Sequence, residues 1–307
     1  MDLLVVGSVG LDYVETPFGK IENALGGAAT YIALTASYFS KPVRLVGVVG
    51  DDFPQEHIDM LDEHLVELDN LEIVKGGKTF RWGGKYHYDL NVRDTLYTEL
   101  NVFENFDPKI PEKSKENSFV ILGNIQPSLQ LSVINQLKGN NFIVCDTMNL
   151  WIDIALDDLK KVLKHVNVLI INDSEARLLS KEANLIKAAR IIREMGPEYL
   201  IIKKGEHGAL LFYNDTVFSA PAYPLESIFD PTGAGDTFLG GFAGYLHNSI
   251  DMSIENMKRA VIYGSAMASF CVEKFSTKGL EELDNLQIHD RFLEFRELSR
   301  FDDDEQL

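Results

Sequence analysis

The sequence predicts an α/β protein whose doubly wound, mainly parallel sheet carries helices on both faces. Short apolar runs recur along the chain, and each is followed directly by glycine, aspartate, asparagine or lysine. Between these runs, apolar residues recur at the three- and four-residue spacing of amphipathic helices. Strands that alternate with helices are typical of a parallel sheet covered on both sides. Such sheets bind ligands at the carboxyl ends of their strands, where this chain places small and polar residues.

The strands and helices are predicted in the following order. The apolar runs predict strands at residues 3–6, 43–49, 119–122, 142–145, 166–171, 199–202 and 209–213. The helical patterns cover residues 28–39, 54–66, 127–137, 154–166, 173–179 and 185–195. No internal repeat and no Pro/Gly-rich linker interrupts the chain, so we expect a single domain over residues 1–307.

One segment departs from this alternation. Over residues 80–92 the even positions are mostly aromatic or aliphatic, and the odd positions are mostly polar. Alternation with a period of two predicts a strand with two different faces. Residues 93–94 are a candidate turn into a second strand at residues 96–103. We therefore expect a small β lid outside the main sheet, formed by residues 13–23 and 80–106.

Composition excludes several classes of function. The chain has 29 basic and 47 acidic residues, and its net charge of −18 opposes binding to nucleic acids and to anionic membranes. Part of this charge lies in an acidic tail at residues 301–307. No apolar run reaches the roughly 20 residues that cross a bilayer, and Cys145 and Cys271 form neither a disulfide framework nor a zinc motif. We expect a cytoplasmic protein with no nucleic-acid and no membrane partner.

A glycine-rich turn at residues 230–238 is the strongest candidate for chemistry. Its small residues lead into a helix whose first turn carries Asp236. The first amides of a helix lack hydrogen-bond partners within the helix. We therefore predict that the amides of Gly233, Ala234 and Gly235 bind a phosphate. A carboxylate beside an anion site is costly unless it accepts a proton from an attacking hydroxyl, which makes Asp236 a candidate general base. The alternative is a structural turn in which Asp236 is only a favourable charge at a helix N-terminus.

Other nucleotide and hydrolase motifs are absent. Gly77-Lys78-Thr79 looks like the end of a Walker A loop, but Glu72 occupies the position of that loop's first glycine. The first strand is not followed by Gly-x-Gly-x-x-Gly, which disfavours a nicotinamide-dependent dehydrogenase. Neither Gly-x-Ser-x-Gly nor His-Glu-x-x-His occurs, which removes the commonest hydrolase signals.

Residues 230–245 closely resemble the second signature of the ribokinase/PfkB carbohydrate kinase family. Shorter elements follow in the family's order at residues 7–12, 26–29, 47–52, 146–151, 172–175 and 205–208. Each element alone is weak, but their common order along nearly the whole chain is specific. The resemblance implies the ribokinase-like form of the α/β fold and ATP-dependent phosphorylation of a primary hydroxyl of a sugar or nucleoside. A non-catalytic sugar- or nucleoside-binding regulatory protein on the same fold is the alternative.

The resemblance also implies roles for individual residues. For catalysis it implies Asp236 as the base, with the amides of Gly233, Ala234 and Gly235. For the acceptor it implies Asp12, Gly26, Gly27 and Asn149. For ATP it implies Lys203, Gly205, Gly208 and Thr232, although Lys203 and Lys204 are equally well explained as a solvated pair. For Mg²⁺, held through water, it implies Asn172 and Glu175, and for a monovalent cation such as K⁺ it implies a site near Asp230.

Two positions depart from the family. Tyr31 stands near the place where the family usually has an asparagine, which predicts that Tyr31 replaces a polar substrate contact and disfavours ribose itself. Trp151 stands where some sugar kinases have an arginine, so a substrate that already carries a phosphate has no evident clamp there.

The even face of the predicted lid strand presents four aromatic side chains, Phe80, Trp82, Tyr86 and Tyr88. At ~25 cal/mol per Å² and roughly 150 Å² per ring, covering them contributes several kcal/mol. Either two lids pack together in a homodimer, as the resemblance implies, or the face closes over the acceptor. We favour the homodimer, because a face that is covered in every state avoids the cost of exposure at each opening.

Overall fold

The computed structural model describes residues 1–300. Its strands are β1 (Leu3–Val6), β2 (Gly10–Thr16), β3 (Gly19–Gly26), β4 (Val43–Gly50), β5 (Val66–Val74), β6 (Phe80–Tyr86), β7 (Arg93–Glu99), β8 (Phe119–Leu122), β9 (Phe142–Asp146), β10 (Val168–Asn172), β11 (Tyr199–Lys203), β12 (Ala209–Tyr213) and β13 (Thr216–Ala220). Its helices are α1 (Ala28–Ala36), α2 (Gln55–Glu63), α3 (Pro127–Gln136), α4 (Asn149–Ile154), α5 (Leu156–Leu163), α6 (Asp173–Ser180), α7 (Leu185–Arg193), α8 (Ala234–Ser249), α9 (Ile254–Cys271) and α10 (Asn285–Leu298). The predicted acidic tail, residues 301–307, lies outside the described residues. Over residues 1–300, no helix combines the length and the apolar character that crossing a membrane requires.

Nine strands form one large sheet in the order β13-β12-β11-β10-β9-β8-β1-β4-β5. Its neighbours are parallel, except that β12 runs antiparallel to both β11 and β13. Alternate residues of a strand belong to separate cores: Leu3 and Val5 of β1 pack on one face, and Leu4 and Val6 pack on the other. Helices α1, α8 and α9 contribute to the first core, and α3, α5, α6 and α7 contribute to the second. The predicted doubly wound architecture is confirmed, and its two buried faces explain why the strands appear as uninterrupted apolar runs.

The sequence patterns miss the two edge strands of this sheet, β5 and β13. Both strands carry exposed or half-buried residues at most positions, so neither forms an apolar run. The helix predicted at residues 54–66 ends at Glu63, because Leu65 adopts a positive φ of 60° that no helix accepts. The other predicted elements of the large sheet and its helices agree with the structure to within three residues at each end.

A second, four-stranded sheet lies where the lid is predicted, in the order β3-β2-β6-β7. Its strands cover residues 10–26 and 80–99, which differs from the predicted 13–23 and 80–106. Residues 101–103, which the prediction places at the end of the second strand of the hairpin, belong instead to a short 3₁₀ helix at Asn101–Asn105.

The position of the hairpin turn is a correction to the prediction. Strand β6 ends at Tyr86, and Arg93 is already the first residue of β7. Asp89 closes the intervening turn, because its carboxylate accepts the N–H groups of Asn91 (3.1 Å) and Val92 (3.3 Å). A side chain that bonds to the backbone two residues ahead favours a turn over a continuing strand.

The aromatic face of the small sheet is covered within the chain. Phe80 packs against Phe103, with 5.5 Å between the ring centres. Tyr86 is only 6% exposed, and Trp82 is half-buried. Tyr88 is 86% exposed, but it lies in the turn and not in the strand. The aromatic face therefore does not require a second subunit to cover it, and the homodimer stays a prediction.

Candidate active site

The candidate active site lies where the carboxyl ends of three central strands meet the start of α8. Asp146, Asn172 and Lys203 are the last residues of β9, β10 and β11. Because these strands are parallel neighbours in the sheet, their last residues lie at the same edge. Asp236 lies in the first turn of α8, and its pKa responds to the charges of Asp146 and Lys203. The topology thus brings together groups that are far apart in the sequence.

The turn before α8 is held by Asp230, whose side chain has no solvent exposure. One carboxylate oxygen accepts the N–H of Thr232 (2.8 Å), and the other accepts the N–H of Ser276 (3.0 Å). Burial raises the pKa of this carboxyl, and these backbone donors oppose the rise. Within residues 1–300, no cationic side chain pairs with this carboxyl group. A buried carboxylate without a cationic partner is compatible with the predicted monovalent cation, which stays a prediction.

Gly233 ends this turn in the left-handed conformation, with a φ of 76°. A Cβ at this position would lie 2.4 Å from the ring of Tyr31, so only glycine fits. Tyr31 is 2% exposed and packs behind the turn. The expectation that Tyr31 replaces a polar substrate contact is therefore wrong: the side chain supports the turn from the core.

The amides at the start of α8 form a partly open anion site. The N–H of Ala234 is engaged by the carbonyl of Pro231 at 3.2 Å. Among the described residues, the N–H groups of Gly233, Gly235 and Asp236 have no acceptor, as expected for the first turn of a helix. Of the three predicted amides, Gly233 and Gly235 are thus available to an anion, and Ala234 is not.

Asp236 has the properties expected of a general base. Its Oδ1 is buried and has no hydrogen-bond partner among residues 1–300. Burial raises the pKa of Asp236 to about 7, and the charge of Asp146 adds to the rise, whereas Lys203 and Arg93 oppose it. A carboxylate oxygen without a partner is costly, so its presence next to open amides indicates a chemical role.

Lys203 lies directly against the anion site. A Cβ added at Gly235 would lie 2.8 Å from the Lys203 ammonium nitrogen. Burial lowers the pKa of Lys203, but the carboxylates of Asp146, Glu175 and Asp236 more than offset this effect, and the ammonium stays charged. This placement favours the ATP-binding prediction for Lys203 over a solvated pair with its neighbour.

The Asn-x-x-Glu motif forms the capping box of α6. The Asn172 side chain accepts the N–H of Glu175 (2.8 Å), and the Glu175 carboxylate accepts the N–H of Asn172 (2.7 Å). Asn172 therefore orients Glu175, and its own side-chain oxygen is occupied by this hydrogen bond. The second carboxylate oxygen of Glu175 remains for a ligand.

The charges around Glu175 suit a divalent cation. Burial raises the pKa of Glu175 to about 7, and the neighbouring Asp146 adds to the rise. Within residues 1–300, no three acidic, histidine or cysteine side chains come close enough together to ligate a metal ion directly. Magnesium retains several of its waters in proteins, so this arrangement fits Mg²⁺ held through water by Glu175 and Asp146. Asp146 is not among the site residues predicted from the sequence. Its position at the end of an apolar strand, like that of Asn172 and Lys203, could have identified it.

Asp12 lies on the opposite, lid side of the cleft. A Cβ at Gly26 would lie 2.2 Å from the Asp12 carboxylate, so the first of the paired glycines makes room for this side chain. Burial raises the pKa of Asp12 to about 8, with further contributions from Asp230 and Asp236 and an opposing one from Arg93. The second glycine, Gly27, lies between β3 and α1, where a Cβ would come within 2.5 Å of the carbonyl oxygen of Ser8.

Among the remaining predicted residues, Thr232 lies in the anion turn, whereas Asn149, Gly205 and Gly208 do not join this cluster. Asn149 is exposed at the start of α4 and has no hydrogen-bond partner among the described side chains. Gly205 and Gly208 flank a short 3₁₀ turn after β11, and the lid turn approaches it, since a Cβ at Gly205 would lie 3.5 Å from Asn91 Oδ1. The hydroxyl of Thr232 donates to the hydroxyl of the lid residue Tyr86 at 3.2 Å.

One lid residue of the site, Arg93, escapes the sequence prediction, whereas Tyr86 belongs to the aromatic face that was predicted either to pack in a dimer or to close over the acceptor. Tyr86 reaches the anion turn through Thr232, and Arg93 acts electrostatically on Asp12, Glu175 and Asp236. From the sequence, Arg93 is predicted to lie in the hairpin turn, because the alternation of apolar and polar residues continues beyond Tyr86, where β6 ends.

Known proteins resemble this chain in both sequence and fold. Residues 2–283 match the sequence model of the pfkB family carbohydrate kinases. A cytidine kinase of Thermococcus kodakarensis is 32% identical over 80% of this chain and 88% of its own length. A nucleoside kinase of Methanothermobacter thermautotrophicus is 26% identical over 90% of this chain and 91% of its own length. Among solved structures, the nucleoside kinase of Methanocaldococcus jannaschii superposes with a TM-score of 0.75 at 20% identity, covering 96% of this chain and 99% of that one. Ribokinase of Thermotoga maritima superposes with a TM-score of 0.74, also at 20% identity, over 96% of this chain and 99% of that one.

The extent of these matches leaves no large segment unexplained, because the family model begins at residue 2 and ends at residue 283. With the unpartnered Asp236 at the anion turn, they show an enzyme and not a non-catalytic binding protein on the same fold. The chain is an ATP-dependent phosphotransferase that acts on an alcohol group of a sugar or nucleoside, and it belongs to the pfkB family of carbohydrate kinases.

Proposed function

We propose that this kinase phosphorylates the primary hydroxyl of a nucleoside. The observation that carries the proposal is the pairing of Asp12 with Trp82. These residues are register partners in the parallel strands β2 and β6, so both side chains project from the same face of the small sheet. The carboxyl group of Asp12 suits the hydroxyls of a ribose, and the indole of Trp82 suits a nucleobase, which a free sugar lacks.

The relatives support the same substrate class. The relative from T. kodakarensis is named a cytidine kinase, and the relative from M. thermautotrophicus is named a nucleoside kinase. A third relative, from M. jannaschii, is also named a nucleoside kinase and is 25% identical over 96% of this chain and of its own length.

Phosphoryl transfer needs a base, a site for the charge of the phosphate and a means of aligning the two substrates. We assign the base to Asp236, which accepts the proton of the attacking hydroxyl at Oδ1. The N–H groups of Gly233 and Gly235 and the ammonium of Lys203 offset the negative charge of the phosphoryl group. Asp12 binds the ribose hydroxyls and holds the primary hydroxyl toward Asp236.

Magnesium, when bound, neutralises part of the charge of the ATP phosphates. Glu175 and Asp146 would hold it through water, and Asn172 orients Glu175 by the capping box described above. Gly205, Gly208 and Thr232 are assigned to ATP, and Gly26, Gly27 and Asn149 are assigned to the acceptor. A monovalent cation such as K⁺ near Asp230, a homodimer through the lid and a cytoplasmic location complete the proposal.

The experiment is a coupled ADP-release assay with MgATP and a panel of acceptors. The panel contains cytidine, uridine, adenosine, inosine, ribose and fructose 6-phosphate, and ³¹P NMR identifies the product. We expect at least one nucleoside to give a 5′-monophosphate with a kcat/KM about tenfold or more above that of either sugar, since base stacking contributes roughly 1–3 kcal/mol. A sugar that exceeds every nucleoside would overturn the proposal.

A pair of lid variants tests the role of Trp82 itself. Trp82→Leu removes the indole beside Asp12, and we expect it to raise KM for the nucleoside about tenfold or more with little change in KM for ATP. Tyr88→Leu is the matched control, because Tyr88 is an aromatic lid residue that is 86% exposed in the turn. Equal effects of the two substitutions would contradict the assignment of Trp82 to the nucleobase.

A further inference from the structure

Arg93 is a lid cation that the mechanism above does not use. It is the first residue of β7 and the cross-strand partner of Tyr86, the last residue of β6. Its guanidinium carbon lies 5.1 Å from the centre of the Trp82 ring. Its hydrogen-bond partner is the hydroxyl of Tyr86, at a long 3.5 Å.

The other cations of the neighbouring strand differ from Arg93 in having carboxylate partners. Arg81 pairs with Asp52 at 3.2 Å, and Lys85 pairs with Glu15 at 2.6 Å. Within residues 1–300, Arg93 pairs with no carboxylate by direct contact. A guanidinium has five N–H donors, so most of the donors of Arg93 remain free for a ligand.

The position of Arg93 is tied to the anion turn by a short chain of contacts. Tyr86 receives the hydroxyl proton of Thr232 in a 3.2 Å hydrogen bond, and Thr232 directly precedes Gly233. One tyrosine side chain therefore separates the guanidinium from the turn that binds phosphate in the proposed mechanism.

Arg93 also acts on carboxylates from each part of the site. Burial raises the pKa of Asp12 on the acceptor side, of the base Asp236 and of Glu175 on the magnesium side. The charge of Arg93 opposes this rise in each case, but its effect is smaller than that of burial. With its link to the anion turn through Tyr86 and Thr232, this influence on Asp12 and Asp236 indicates that the guanidinium faces the space between the acceptor side and the base. The Trp82 ring beneath the guanidinium restricts its orientation without using its N–H donors.

We propose that Arg93 is a catalytic residue whose guanidinium donates hydrogen bonds to the phosphoryl group in transit, as an arginine supplied by the lid. In this step the acceptor oxygen bonds to the γ-phosphorus and the bond from that phosphorus to the ADP oxygen breaks. The acceptor proton passes to Asp236, and Arg93 keeps its own protons throughout. Planar guanidinium donors match phosphate oxygens, and their positive charge offsets the charge of the transition state. The proposal rests on the phosphoryl transfer proposed for this site, but not on the identity of the acceptor.

The kinetic test compares Arg93→Ala with Lys85→Ala, which removes a cation of equal charge from the outer face of the same sheet. We expect Arg93→Ala to lower kcat about 100-fold or more, with KM for the acceptor within about threefold of wild type and a smaller effect on KM for ATP than on kcat. Lys85→Ala should leave kcat within about twofold. Added guanidinium ion should raise the kcat of Arg93→Ala severalfold, an effect that a purely structural role would not produce. A kcat of Arg93→Ala within about threefold of wild type, or a loss confined to KM of the acceptor, would overturn the proposal.

A second measurement needs no acceptor and so separates this proposal from the nucleoside assignment. The chain has two tryptophans, so in a Trp151→Phe background the emission reports on Trp82 alone. We expect MgATP to change this emission more than MgADP does, because the γ-phosphate draws Arg93 away from the ring. The difference between the two nucleotides should vanish in Arg93→Ala, with circular dichroism confirming an unchanged fold. Identical responses to MgATP and MgADP in the Trp151→Phe protein would refute the contact.

Discussion

The raised pKa of Asp12 predicts that the free enzyme loses stability as pH rises. Burial, Asp230 and Asp236 raise this pKa from 3.8 to about 8. Between those values the folded protein holds a proton that the unfolded chain has released. The stabilising contribution is therefore complete below the unfolded pKa, and it is lost as pH rises toward the folded pKa. One such group changes the free energy of unfolding by about 1.4 kcal/mol per pH unit.

Asp12→Asn isolates this contribution, because asparagine keeps the shape of the side chain but does not titrate. From about pH 5.5 to pH 7.5, the variant should gain roughly 2.7 kcal/mol of stability relative to the wild type. The assay is urea unfolding at several pH values with EDTA and without substrate, so that neither magnesium nor ATP shifts the equilibrium. Asp107→Asn is the control, since that carboxylate is exposed and, within the described part of the chain, pairs with Lys109 alone. Parallel pH profiles for the wild type and Asp12→Asn would refute the argument that burial keeps Asp12 protonated.

Three further outcomes follow from the geometry of the site. Asp236→Asn should lower turnover roughly 100- to 10,000-fold with ATP binding preserved in calorimetry, and residual activity above about a tenth would remove Asp236 as the base. Asp12→Ala should weaken binding of the acceptor roughly tenfold and that of ATP far less in the same titrations, because each hydrogen bond between the Asp12 carboxyl group and an acceptor hydroxyl contributes about 0.5–1.5 kcal/mol; equal losses would make Asp12 structural. Gly233→Ala should lower the free energy of unfolding by roughly 1–3 kcal/mol for its positive φ and by more for the clash with Tyr31. Gly139→Ala separates the effect of the positive φ from that of the clash, since Gly139 has a φ of 64° with open space around it. Equal losses of unfolding free energy for the two substitutions would show that the Tyr31 ring moves away and that the clash has no cost.

The large sheet could be predicted from the sequence because its central strands are buried on both faces. A strand such as Leu3–Val6 has no polar position, so its run of apolar residues marks both its existence and its ends. The edge strands β5 and β13 have one open side, and their mixed composition looks like that of a loop. The lid strand β6 was predicted, but its end was not, because the turn is set by hydrogen bonds of Asp89 and not by a change in alternation.

The candidate site could be predicted only as far as short motifs reach. Short sequence motifs contain Asp236, Gly233 and Asp12, and the residue types in these motifs indicate the role of each residue. The place of Arg93 in the site depends on two contacts. Strand β6 pairs with β7, and Tyr86 contacts Thr232, a residue 146 positions away in the sequence. No periodicity in the sequence reports such a contact.

The net charge of −18 and the charges of the site act over different distances. The field of the whole chain repels ATP, but it is screened beyond roughly 10 Å at 0.1 M salt. Lys203 lies against Gly235 and is surrounded by protein, so its attraction for a phosphate is screened much less. Moderate salt therefore removes more of the repulsion than of the attraction. An acidic protein can in this way bind a polyanion, provided that its few unscreened cations stand at the anion site itself, as Lys203 does.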